Sequence, residues 1–420
     1  MLIKILKRSC VILLLTFSWT CSYSQNIEEL ELKLDSIIHM GIDSMAFPGA
    51  QLIVANKDTI LIQKSYGHHT YDQKTKVKDD HLYDLASVTK VTSGLLLLMK
   101  MVDAKLIDLD LPVSEYLPYL CRSNKKKLTL RQILAHQAGL EPYIVFWQNT
   151  LKDNGEFKRK TFQNKPSKNF TIQITDSLFL HKKYRKKMVK AIKKSKVIKQ
   201  DEAEYRYSGL VFLLLPELIE NVLNSDFEQQ LKVNFFDKLK LNKIGYRPLK
   251  RFSKKEIVPT EKDTFFRHRL VHGTVHDEAA AMLNSKSCNA GLFSNAEDLA
   301  RLFQMLMNNG KKGDLVFLKN KTIDEFTSYQ YPEMNNRRGL GFDKPLLEYN
   351  SDASYIAKSA SSSSFGHSGF TGTFVWADPK SDILIVFLSN RVYPFRSQRN
   401  LYKLNIRPNL HQLCYDYLSR

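Results

Sequence analysis

The chain has 420 residues, 43% of them hydrophobic and 25% charged, with a formal charge of +20. That balance belongs to a globular protein long enough for a large core and two subdomains, and it excludes a disordered or fibrous chain. Cys10 and Cys21 lie near the start, and Cys121, Cys288 and Cys414 are scattered and odd in number. With no C-x-x-C pair, a disulfide framework and a zinc ribbon are excluded, although one disulfide among the last three is allowed.

Lys4, Lys7 and Arg8 precede the apolar run from Val11 to Trp19, and Cys21-Ser22-Tyr23-Ser24 follows. A basic region, a short apolar core and small residues read as a cleaved secretory signal over residues 1–24, so the protein is expected to be exported and periplasmic. The core is too short to span a bilayer. A lipid anchor at Cys21 is the lesser alternative, because Ser18-Trp19-Thr20 fits a lipoprotein signal poorly.

Ile27, Leu30, Leu34, Ile37 and Ile38 recur at helical spacing, which predicts a helix from Asn26 to Met45 ended by Pro48-Gly49. Ala50 to Ala55 and Thr59 to Ser65 read as two strands about the turn Asn56-Lys57-Asp58. The apolar stretch after Ser87 predicts one helix running to about Ala104. Thr129 is a plausible N-cap for a short helix to His136, with Gly139 beyond it as a natural stop.

Between Phe146 and Thr264 the pattern turns basic, mostly helical and poorer in glycine. The crowded lysines and arginine from Lys182 to Lys199 read as a solvated helix or loop face; the functional alternative is docking on an anionic envelope surface. No aromatic interleaving accompanies them, so a nucleic-acid partner is not expected. Glu278 to Met282 and Ala296 to Asn308 are further helices, Ser361 to Ser364 reads as a flexible loop, and Phe374 to Ala377 and Ile383 to Ser389 form a hairpin about Asp378-Pro379. Gln398 to Leu418 is a closing helix. The expected fold class is therefore α/β (α+β): a mainly antiparallel sheet flanked by helices and made from residues 25–145 and 265–420, with an inserted helical subdomain over residues 146–264. A cleft between the two parts is the natural site.

Three places carry chemistry. In Ser87-Val88-Thr89-Lys90 the i, i+3 spacing puts a hydroxyl and an amine on one helix face, and a lysine taken out of water can serve as the base that a serine needs. A helix start also aims free N–H groups at a developing oxyanion. Tyr205-Arg206-Tyr207-Ser208-Gly209 precedes an apolar helix, where Tyr207 is either a general base beside the lysine or an ordinary buried aromatic. Gly366-His367-Ser368-Gly369-Phe370-Thr371-Gly372 stands before a strand, where its glycines let backbone approach a ligand. His272 and His276 are four apart, yet no third ligand is evident, so neither a metal nor another cofactor is expected. Cys288 is a candidate reactive thiol with no partner base in view.

Taken together and in this order, the three motifs resemble the serine β-lactamase and penicillin-binding protein superfamily, in its class C β-lactamase-like branch. Phe47-Pro48-Gly49-Ala50, Leu134-Ala135-His136-Gln137-Ala138-Gly139-Leu140, Gly291-Leu292-Phe293-Ser294 and Arg338-Gly339-Leu340-Gly341-Phe342 are similar to the same branch. The resemblance implies a β-lactamase/transpeptidase-like fold and an acyl-enzyme on Ser87, with Lys90 and Tyr207 sharing the proton work. It implies an oxyanion hole from the N–H groups of Ser87 and Phe370, with His367 and Gly369 on the substrate side. The substrate would be an amide or ester: a cell-wall D-amino-acid peptide, a β-lactam or a small ester. Two departures stand against it. Gly209 replaces an Asn or Asp, and Asn284-Ser285-Lys286-Ser287-Cys288-Asn289 replaces a glycine-rich stretch with a histidine. They leave open the alternative of a catalytically impaired binding or sensing protein.

Overall fold

The computed structural model describes residues 26–198 and 205–419. The predicted signal, Cys21 and Lys199 lie outside the described residues. Among those described, no helix is long and apolar enough to cross a membrane.

The central element is a five-stranded antiparallel sheet drawn from the two ends of the chain. Its strands are β1 (Gly49–Ala55), β2 (Ile60–Gly67), β3 (Phe365–Ser368), β4 (Phe374–Asp378) and β5 (Ile383–Ser389), in the spatial order β3-β4-β5-β1-β2. β1 meets β5 with Leu52 opposite Phe387 and Ile53 opposite Val386. Alternate residues point to opposite faces of a strand, and here both faces are apolar. Leu52, Val54, Ile385, Phe387 and Trp376 join one cluster, packed by helix α1 (residues 26–43) through Leu30, Leu34 and Ile38. The helix Ile406–Leu418 adds Leu410 and Cys414 to the same layer. Ile53, Val386, Leu388 and Val375 face the other cluster. There they meet the helix Ala296–Met307 through residues such as Leu299 and Phe303. This three-layer arrangement confirms the expected mixed fold and buries the sheet on both sides.

The hairpin about Asp378-Pro379 and the helix Glu278–Met282 form as predicted. Thr129 caps the helix Leu130–Leu134 in a capping box, its hydroxyl accepting from the Gln132 N–H while the Gln132 side chain accepts from the Thr129 N–H. Other expectations need correction. The helix after Ser87 is broken into a 3-10 turn (Ala86–Val88), α2 (Thr89–Thr92) and α3 (Gly94–Asp103), because Ser93 leaves helical geometry at φ −132° and ψ −104°. Gly94 permits the break by lying against the Cys288 thiol, where any Cβ would come within 2.1 Å of the sulfur. The closing helix is likewise interrupted at Asn405, which sits at φ 49°. The serine run is tied down: Ser361 donates from its N–H and its hydroxyl to the Asp378 carboxylate, and Ser364 is fully buried. Residues 146–264 hold a three-stranded antiparallel sheet (Phe162–Gln163, Ile172–Thr175, Leu178–Leu180) as well as helices. Cys121, Cys288 and Cys414 are all free thiols.

His411 shows what burial does to the outer layer. It is enclosed by Phe374, Trp376 and Tyr415 and accepts from the Ala357 N–H at 3.1 Å. Desolvation holds its imidazole neutral, lowering it to about 3. Below its ordinary value of about 6.5 the unfolded chain takes up a proton that the folded chain refuses, so this contribution is present above pH 6.5 and is lost as pH falls toward 3. Between pH 6.5 and 5 the unfolding free energy of the native chain should therefore fall more steeply than that of His411→Asn, by about 0.7 kcal/mol per pH unit at pH 6.5 and approaching about 1.4 at pH 5. Denaturant titrations at successive pH values check this, and equal slopes would contradict it.

Candidate active site

Ser87 is delivered by a short strand, Tyr83–Asp84, that runs into the 3-10 turn. Ala86 takes φ +46°, a left-handed conformation that alanine adopts only when its surroundings hold it there. Asp84 supplies that hold. Its buried carboxylate accepts from the Ala86 N–H at 2.9 Å and from the His276 N–H at 2.6 Å. The turn before β4 pins the same stretch from the other side: Thr371 Oγ1 donates to the Asp84 carbonyl at 2.7 Å and Thr373 Oγ1 to the Leu85 carbonyl at 2.9 Å. Gly369 backs directly onto it, since a Cβ there would lie 2.5 Å from the Leu85 oxygen.

Two groups, one 3 and the other 120 residues along the chain, converge on the Ser87 oxygen. Lys90 Nζ, on a side chain only 1% exposed, donates to it at 3.0 Å, and the Tyr207 hydroxyl donates to it at 3.1 Å. Lys90 also donates to the backbone oxygen of Asn289 at 3.0 Å and to Asn289 Oδ1 at 2.7 Å. The Tyr207 ring is wedged against His136, with centroids 4.4 Å apart, and has Lys90 Nζ 5.1 Å and the Arg338 guanidinium 5.3 Å from its centre. His136, at φ +55°, accepts from the Ser208 N–H through Nδ1, which anchors the Tyr207 segment. Burial, with Arg338 and Lys90 close by, keeps His136 well below the usual imidazole range.

His367 sits on edge strand β3, opposite Val375 of β4. Its Nδ1 faces the Ser368 carbonyl at 2.7 Å, so Nδ1 holds the proton and Nε2 accepts from Arg338 Nη2 at 3.2 Å. Desolvation and then the Arg338 charge lower it to about 3, leaving it neutral. Arg338 is itself buried and paired with Asp343 at 2.7 Å. His367 is only 3% exposed and meets the Ser87 surroundings through Tyr207, whose ring centroid lies 6.2 Å from its own. Gly369 supports the Ser87 turn in the same indirect way.

The cavity over Ser87 measures about 580 Å³. Ser87, Tyr207, Gly209 and Asn289 form part of its polar lining, and Tyr143, Trp147, Leu213, Phe265 and Phe370 are among its apolar walls. At its mouth Arg396 lies 4.4 Å over the Phe265 ring and pairs with Glu261 at 2.6 Å and Glu278 at 2.8 Å. Burial pushes the Glu261 carboxyl up, but bonds from His276 and Arg396 outweigh it and bring the group down to about 2.

The structure brings Ser87, Lys90 and Tyr207 together and separates other candidates. His272 turns to the Lys254 and Ile257 carbonyls while His276 faces Glu261, so the two do not converge. Cys288 is fully buried, and desolvation pushes its thiol well above the ordinary range, which rules against a reactive nucleophile. Sequence reasoning missed the role of Asn289; its position inside the anomalous 284–289 segment was the available signal. It also missed the Arg396 clamp, for which no local pattern existed.

This constellation, on this fold, is that of a serine hydrolase of the β-lactamase type, and comparison with known proteins agrees. The profile of the Beta-lactamase family matches residues 34–406, and the chain belongs to that family. A provisionally named D-alanyl-D-alanine carboxypeptidase of Salmonella enteritidis PT4 is 29% identical over 387 residues, covering 86% of this chain and 82% of that protein. Among solved structures, EstCE1, described as a hydrolase with promiscuous acyltransferase activity, superimposes with a TM-score of 0.64 at 16% identity, covering 92% of this chain and 99% of its own. A penicillin-binding protein homologue from Caulobacter crescentus also gives 0.64 at 16% identity, covering 92% and 97%. These two likenesses concern the fold.

Proposed function

We propose that the chain is an exported hydrolase that forms an acyl-enzyme on Ser87 and releases it to water. The observation that carries this reading is the approach of both Lys90 Nζ, at 3.0 Å, and the Tyr207 hydroxyl, at 3.1 Å, to one serine oxygen facing a cavity. Ser87 attacks a carbonyl as its proton passes to Lys90, and the Lys90 ammonium then returns a proton to the leaving group through the Tyr207 hydroxyl, which gives one proton and takes another. The N–H groups of Ser87 and Phe370 hold the oxyanion, in a turn that Thr371 and Thr373 fix in place. His367 and Gly369 shape the strand edge behind that hole. The cleft lies between the part made of residues 25–145 and 265–420 and the part made of residues 146–264.

The substrate is an amide or ester of a cell-wall D-amino-acid peptide, a β-lactam or a small ester. The name of the Salmonella relative favours the peptide. The neutral His367 and the compensation of Arg338 by Asp343 weaken attraction to a substrate carboxylate, which argues against efficient β-lactam hydrolysis. The basic helix Lys183–Lys194 buries Tyr184, Met188 and Ile192 and leaves lysines outward, in keeping with a solvated face that tolerates an anionic envelope. The impaired-sensor alternative loses ground because the Lys90 amine does not lack a partner: Asn289 supplies one.

Intact-mass spectrometry of the mature protein with a fluorophosphonate and, separately, a penicillin tests the reading, with Ser87→Ala as control. A Ser87-dependent fluorophosphonate adduct is expected. A penicillin adduct that decays marks a hydrolase, and one that persists marks a sensor. No adduct with either reagent overturns the reading.

A further inference from the structure

We propose that Asn289 is the positioning residue for the Lys90 base, and that Gly209 and Asn289 are two halves of one exchange: the side chain missing at 209 is replaced, in the same space, by one arriving from 289. The inference rests on the Ser87 acyl-enzyme reading and deepens it.

The first half of the exchange is steric. A Cβ built on Gly209 would lie 2.4 Å from Asn289 Oδ1, 3.0 Å from its Cγ and 3.4 Å from its Nδ2. The Asn289 carboxamide therefore fills the volume into which any side chain at 209 would point. Gly209 has no positive φ among its neighbours' requirements to satisfy; its lack of a side chain is what admits the carboxamide. Asn289 is in turn held from three sides. Its N–H donates to Ser287 Oγ at 2.9 Å, its Nδ2 donates to Asp277 Oδ2 at 3.3 Å, and the adjacent Cys288 N–H donates to the Phe212 carbonyl at 3.2 Å. With Nδ2 turned to a carboxylate, Oδ1 must face the amine.

The second half concerns direction. The amine has three neighbours: Asn289 O, Asn289 Oδ1 and Ser87 Oγ. A neutral amine has two N–H bonds and one lone pair. When both N–H groups are taken by the two oxygens of Asn289, the lone pair is left facing Ser87 Oγ. The Ser87 O–H bond then breaks toward Nζ, an N–H bond forms, and the oxygen's electron pair joins the substrate carbonyl carbon. The resulting ammonium has three donors and three acceptors in place, so no group has to rotate. Without Oδ1, one amine hydrogen competes for the serine oxygen and the lone pair loses its aim.

The test compares Asn289→Gly, Gly209→Asn and the double variant with the native chain, by rate of fluorophosphonate labelling and by kcat and KM on a reactive ester. Asn289→Gly should lower kcat and the labelling rate by about 100-fold, the scale of a misplaced catalytic group, with KM within about twofold. Gly209→Asn alone should lose both activity and melting temperature, because the two side chains collide. The double variant should recover at least tenfold in kcat over Asn289→Gly and regain the melting temperature that Gly209→Asn loses. A purely structural role would give no such rescue of kcat. If the native chain labels and Asn289→Gly labels as fast, or if the losses in the double variant merely add, the inference is overturned while the hydrolase reading stands. If the native chain fails to label, the hydrolase reading falls and this inference falls with it.

Discussion

Ser87→Ala is expected to reduce ester or peptide turnover by about 10⁴-fold or more, while the melting temperature changes by about two degrees at most. The size follows from the site acting as a unit: removing a nucleophile abolishes the covalent route and leaves only what binding and the oxyanion hole supply. The small structural effect follows from what the hydroxyl touches. Its oxygen accepts from Lys90 and Tyr207, and Lys90 keeps both oxygens of Asn289 when it is gone. Ala86, which sits in the strained turn, is unaffected because its conformation depends on Asp84. Turnover assays and calorimetry on the same preparation read both quantities. Activity within tenfold of the native chain would assign the chemistry elsewhere.

Asp343→Asn should destabilise the fold by about 3–5 kcal/mol, the cost of breaking a buried ion pair from one side. Asp343 is buried and faces two guanidinium groups, Arg338 at 2.7 Å and Arg337 at 2.9 Å, and also accepts from the Tyr355 hydroxyl. Those charges outweigh desolvation and hold its carboxyl well below the usual range. Breaking a buried pair from one side leaves the other charge without compensation, and Arg338 is 1% exposed with no route to water. Asp343 also pairs its backbone with Gly366 of β3, so the loss reaches the strand that carries His367. Urea or guanidinium unfolding measures the effect. A loss below about 1 kcal/mol would mean that Arg338 finds another partner.

Much of the site could be read from the chain because its chemistry is local. Ser87 and Lys90 are three apart, and a helical turn brings them together whatever the rest of the fold does. Tyr207 and His367 were recognisable by their surroundings in sequence, and the hairpin at Asp378-Pro379 by turn chemistry. Asn289 was not readable in this way: its contact with Lys90 spans 199 residues, and asparagine is too common in loops to announce a role. The same limit explains the break at Ser93. Val91 to Met101 reads as continuous helix until Cys288, distant in sequence, packs against Gly94. For His367, its place next to two glycines says that it is near the site, not that Arg338 and the Ser368 carbonyl hold its two ring nitrogens.

The pairing of β1 with β5 sets a condition on how the chain comes into being. Ala50 finds its partner in Ser389, and the threonines that fasten the Ser87 turn lie at 371 and 373. During synthesis the first strand waits for β5 and the serine turn waits for its threonines, the contact from Thr371 back to Asp84 spanning 287 residues. A ribosome-bound or prematurely terminated chain therefore has neither a closed sheet nor an armed nucleophile, and contacts of such long range make folding a late event. The sheet is not closed, nor the serine turn fastened, until the stretch from Thr371 to Ser389 has been made.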